Sequence, residues 1–178
     1  MPLSEADGKL RVVASATPWT SMDQPTITEL NAAKMISCRL LKGSYAINPG
    51  DSNTIEMGNE CQKQIPKVPT TGTWADTTLV VFRYFNATGM AETAVEDTAD
   101  GIGDDVFQMF KTKGTVLYLA DRLTSKDSTD QFAVGEEIRT FQIRTDTVRR
   151  AERDGWIRYE IPIFVVDGDT QATVKAAA

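Results

Sequence analysis

Between Gly101 and Leu123 the chain reads GIGDDVFQMFKTKGTVLYLADRL, a short helix signal delivered into an apolar strand. Nearly everything on either side carries the pattern of β structure. Asp105 is placed to cap the helix, with Gln108 three residues on to close a capping box, and Asp104 adds negative charge where the helix dipole is positive. Lys111 and Lys113 suit the opposite end, and Gly114 suits the left-handed conformation that ends a helix. Val106, Phe107, Met109 and Phe110 form an i, i+3, i+4 stripe. The spacing therefore predicts a helix over 106–113 that buries this stripe against a sheet of its own subunit.

The strands around it are legible from β-branched and aromatic runs. Lys9 to Ser15 is a short strand candidate. In PTITELNAA, Thr26 and Glu29 have capping-box spacing, which predicts one or two helical turns to about Ala33. Met35 to Leu41 reads as a strand entering the core. Thr77 to Phe85, TTLVVFRYF, is apolar on both faces except at Arg83, a pattern that predicts a mid-sheet strand. Glu136 to Arg150 reads as one long strand or two in series. Trp156 to Val166 returns with Ile157, Tyr159, Ile161, Ile163 and Val165 on one face, and Asp167-Gly168 is expected to turn the chain into a last strand from Thr170 to Val174.

At 178 residues the chain suits a single domain over 1–178 with a substantial core. No run approaches the ~20 apolar residues of a membrane span. MPLSEADGKLRV has no basic region followed by an apolar one, so no secretory signal is expected and synthesis is placed in the cytoplasm. Cys38 and Cys61 form no CxxC pair, so reduced thiols are expected. The chain contains no histidine, which removes the Ser-His-Asp and Cys-His arrangements together with the commonest metal ligand. No phosphate-cradling glycine motif is present, and nothing in the spacing of the Asp and Glu residues selects an acid-base pair. No cofactor or metal is expected, and an enzyme is the least favoured class. A net charge of −6 opposes a static nucleic-acid binder.

Two segments resist assignment to regular structure. Residues 42–73 are longer than a routine connection, contain Pro49-Gly50, Pro66 and Pro69, and carry Tyr45, Ile47, Ile55, Met57 and Ile65. A loop or hairpin arm projecting from the domain is expected. Residues 86–105 carry Glu92, Glu96, Asp97, Asp100, Asp104 and Asp105 with no compensating Lys or Arg. They lack the alternating ligands of a calcium loop, so a solvated or assembly-facing acidic loop is expected. Trp19, Trp74 and Trp156 are scattered. Core or interface roles are expected for them, against the alternative of sugar platforms on a carbohydrate-binding β-sandwich.

TITELNAAKMISCRL, the long insertion after it, TTLVVFRYF, the single helix feeding VLYL, and the terminal IPIFVVDGD together resemble the major tail tube proteins of long, non-contractile-tailed bacteriophages, especially those of actinobacterial hosts. The resemblance implies a mainly β, sandwich- or barrel-like subunit with one flanking helix. It also implies assembly into homohexameric rings stacked as a tube, whose inner sheets close around a lumen. Its implied partners are further copies of itself, a tape-measure protein in the lumen during assembly, tail terminator and distal tail proteins, and phage DNA in transit, with no membrane. A tail terminator or head-tail joining protein is the related alternative. In a stacked tube, the arm residues Tyr45, Ile47, Ile55, Met57 and Ile65 are the expected ring-to-ring contact.

Overall fold

A computed structural model describes residues 7–51, 54–56, 67–69, 72–93, 103–151 and 155–177. In chain order the elements are β1 (Leu10–Ser15), α1 (Ile27–Ala32), β2 (Lys34–Met35), a 3-10 turn (Ser37–Arg39), β3 (Thr54–Glu56), β4 (Lys67–Pro69) and β5 (Thr77–Phe82). They continue with α2 (Asp105–Phe110), β6 (Val116–Leu123), β7 (Glu137–Thr145), β8 (Arg149–Arg150) and β9 (Arg158–Thr173). Seven strands form one antiparallel sheet in the order β2-β1-β6-β7-β9-β5, with β8 also paired to β9, while β3 and β4 form a separate two-stranded ribbon. The fold is mainly β with short helices.

The sheet is covered on both faces, and residue alternation decides which side chain goes where. On one face Val12, Leu117, Leu119, Phe141, Ile143, Ile161 and Ile163 join Leu79 and Val81, under a cover of α2, Ile36, Leu40 and Ile47. On the other, Val13, Ala120, Ile138, Ala172 and Val174 pack under Trp19, Leu30 of α1 and Phe132. The layers that close the fold are thus helices and loops laid over one sheet. Burial of both faces explains why the central strand β6 is apolar without interruption from Leu117 to Ala120.

Helix α1 begins where its capping box places it. Thr26 accepts from the Glu29 N–H, while Glu29 accepts from the Thr26 N–H at 2.8 Å. Several expectations are corrected. Met35 to Leu41 is not a strand: Met35, with Lys34 before it, pairs with β1, and the chain then tightens into the 3-10 turn, because Ile36 and Leu40 must both reach the core from a segment that crosses the sheet edge. Strand β5 is the end strand of the sheet, not a central one. Its outer edge is met by Leu41, whose N–H donates to the Val80 carbonyl at 2.8 Å.

Asp167-Gly168 does not turn the chain. Strand β9 runs on through it for 16 residues. Two register shifts against β7 accommodate an extra β9 residue each, so the strand bends without leaving the sheet. Between the shifts Gly168 lies opposite Phe141, and a Cβ there would meet Phe141 at 2.8 Å and Trp74 at 2.9 Å. The glycine is required by close packing of two rings on edge, 5.4 Å apart, over the strand.

Helix α2 spans Asp105–Phe110, stopping short of Lys113. Val106, Phe107 and Phe110 are buried in the first core and Met109 packs against it. Gly114 has φ +83° in the turn that follows, and its N–H donates to the Thr145 carbonyl.

Candidate assembly surfaces

The N-cap of α2 is Asp104, not Asp105, and it makes no side-chain capping bond. Its carboxylate is fully buried and turned inward. Arg83 Nε donates to Oδ1 at 2.8 Å and an Arg83 terminal nitrogen donates to Oδ2 at 3.1 Å. The Tyr84 N–H and Gln108 Nε2 complete its acceptor sites. The guanidinium lies 3.7 Å from the Phe107 ring centroid, with Phe85 and Tyr159 also around it. Arg39 donates to the Gly103 carbonyl and stacks on Tyr84. A bidentate ion pair therefore ties the start of α2 to the end of β5, which removes Asp104 from any solvated acidic loop. Of the other acidic candidates, Asp105 pairs with Lys34 in the first turn of α2 and Glu92 is half-buried. Glu96, Asp97 and Asp100 lie outside the described residues. The solitary Arg83 in an apolar strand was the sequence signal for this pair, because a buried cation demands a carboxylate partner.

The arm candidates divide in the same way. Ile47 is fully buried in the first core. Tyr45 packs against that core, and its hydroxyl donates to Asp121 at 2.8 Å. Asp121 also accepts from Arg139, its cross-strand partner in β7, at 2.9 and 2.8 Å, and Arg139 donates on to the Ile47 carbonyl. Burial raises the Asp121 pKa, against the lowering pull of Arg139 and Tyr45. Burial, followed by the Asp121 charge, pushes the Tyr45 hydroxyl well above its ordinary range. Tyr45 and Ile47 are therefore corrected from arm contacts to pieces of the chain's own packing: a segment with two anchors in the core is not free before residue 48. The Ile55 backbone lies in the β3-β4 ribbon, and Met57 and Ile65 lie outside the described residues. At the neck of this segment the Gly50 N–H donates to the Thr73 carbonyl at 2.7 Å, and the Ala75 N–H donates to Asn48 at 3.1 Å. The two limbs leave the body already paired.

Of the tryptophans, Trp19 is buried against Tyr118 and Trp74 is half-buried on Phe141. The buried Trp19 is therefore not an exposed sugar platform. Trp156 alone stands out, 81% exposed, beside Ile157 and Phe85. These three line a cavity of 410 Å³ with Arg150 and Arg158. At the far end of β9 a 310 Å³ recess is lined by Pro49, Thr73, Trp74, Gly168, Asp169 and Thr170. Cys38 is exposed and Cys61 lies outside the described residues.

The described residues thus form a seven-stranded antiparallel sheet with large exposed apolar side chains at the Trp156 end. The phage tail tube protein family model matches residues 1–178, and the chain belongs to that family. It is a structural component of the phage tail, not an enzyme. No match was found among curated proteins.

Proposed function

We propose that this tail tube protein assembles as homohexameric rings that stack into the tail tube of a long, non-contractile-tailed phage of actinobacterial-host type, forming the conduit for DNA into the host. The observation that carries this reading is the match to the family over the whole chain, joined to a sheet whose longest strand extends well past its β5 partner. Closure through neighbouring copies would cover the edge that β9 leaves beyond Ile163. A net charge of −6 per copy, multiplied around a ring, disfavours phosphate contacts and suits passage of DNA without capture. The tape-measure protein in the lumen, and the terminator and distal tail proteins at the ends, are the partners such a tube requires. The whole chain acts as one domain, and the segment beyond the Asn48–Ala75 neck is the ring-to-ring contact.

Negative-stain microscopy of concentrated purified protein tests the reading. Stacked rings or tubes are expected. Single rings that never extend would instead indicate a terminator or head-tail joining role, and a strictly monomeric species even with tail initiators present would overturn ring assembly.

A further inference from the structure

Strand β9 is electrostatically bipolar. It is roughly 50 Å long at ~3.3 Å per residue. At its start, Arg149 and Arg150 on β8 pair with Glu160 and Tyr159 of β9. Arg144 lies opposite Phe164, further along β9. All three arginines are exposed, and among the described residues none is in an ion pair. Glu160 lies opposite Arg149. Arg150 borders the exposed Trp156, Ile157 and Phe85. At the other end the charges invert. Asp167 and Asp169 sit on β9, and Asp51 and Asp76 flank the Pro49–Trp74 bridge beside the recess. Among the described residues these four carboxylates have no cationic partner either.

Resting on the tail tube reading, we propose that the aromatic and arginine-bordered start of β9 docks onto the acidic, Trp74-lined recess at the end of β9 in a second copy of this chain. The two surfaces differ in shape and in sign, so the contact is head-to-tail. Such a contact does not pair off into a closed dimer but continues from copy to copy. Complementary charge also explains why a chain with an acidic excess keeps arginines exposed and unsatisfied at one pole: there they select the opposite pole of a neighbour and oppose like-pole encounters. The exposed indole of Trp156 supplies the apolar anchor that charge alone lacks.

Charge reversal tests the pairing. Arg149→Glu with Arg150→Glu on one chain, and Asp167→Lys with Asp169→Lys on another, should each fold with parental circular dichroism. Each should raise the protein concentration needed for assembly by about tenfold or more. Mixing the two variants should restore assembly, since each reversed pole then meets its reversed complement and each native pole its native one. Trp156→Ala should weaken assembly while leaving the melting temperature within about 2 °C of the parent. Should the β9 reversals fail to fold, Asp51→Lys with Asp76→Lys replaces them in the mixing experiment. The inference is overturned if folded single-pole variants assemble like the parent, or if both are defective and the mixture stays defective. A parent that forms tubes under those outcomes leaves the tail tube reading standing, whereas a parent that never assembles overturns that reading instead.

Discussion

Asp104 shows how far one side chain's role can lie from what its neighbours in sequence suggest. It sits in a run of carboxylates, yet it is the only one among those described that is fully buried, and what buries it is Arg83, 21 positions earlier. Removing its charge leaves a guanidinium among three aromatic rings without a counter-ion. Asp104→Asn should therefore lower stability by about 3 to 5 kcal/mol in denaturant titration, and Arg83→Met combined with it should recover a good part of that loss. Asp105→Asn, which removes only a half-exposed pair with Lys34, should cost less than about 1 kcal/mol. Glu29 makes a local prediction with a pH sign. Although its partial burial works to raise the pKa, hydrogen bonds from Thr20 and Thr26 bring it down from 4.5 to about 2. A depressed carboxylate contributes stability above its unfolded pKa and loses it as pH falls through the folded one. Glu29→Gln should thus destabilise the protein by about 1 kcal/mol at neutral pH, and the difference from the parent should shrink between pH 4.5 and about 2.

At the scale of elements, legibility followed locality. The Thr26–Glu29 box was readable because both partners lie within four residues. Strand β9 was not readable as one element, since Asp167-Gly168 is also what a turn looks like. Only the register against β7 and the ring of Trp74, nearly a hundred residues away, reveal a glycine demanded by packing. Met35 to Leu41 misled for a related reason: its apolar residues serve two short elements with different periods. TTLVVFRYF looked central because its residues are apolar on both faces, but only Leu79 and Val81 enter the first core, while on the other face Val80 and Phe82 are half-buried and Thr78 is exposed. Two substitutions measure these contacts. Phe110→Ala removes a fully buried ring that joins α2 to the first core and should cost about 3 to 5 kcal/mol. Gly168→Ala forces a methyl against Phe141 and Trp74 and should cost about 1 to 3 kcal/mol. Its loss should be reduced when Trp74 is replaced by a smaller residue.

For the whole molecule, the question is how a subunit whose cores close within one copy would also extend into the proposed tube. Two cores on one sheet answer the first half, because neither depends on a neighbouring copy for its closure. The segment between Asn48 and Ala75 bears on the second half. Its neck is held by backbone pairing at Gly50–Thr73 and Asn48–Ala75, and the residues on its inner side, Tyr45 and Ile47, belong to the body. The anchors Tyr45 and Ile47 lie outside the span beyond the neck, so shortening that span leaves them in place. Replacing residues 52–71 by a short hairpin turn should leave the melting transition cooperative and within a few degrees of the parent, since loop closure across a shorter span is entropically cheaper by only ~1 kcal/mol. If the segment joins successive rings, the shortened protein should stop at single rings or subunits in sedimentation velocity runs where the parent forms tubes. Normal tube extension by the shortened protein would instead leave stacking to the body of the subunit, where the opposite poles of β9 are the surfaces with the charge and the exposed aromatic groups to supply it.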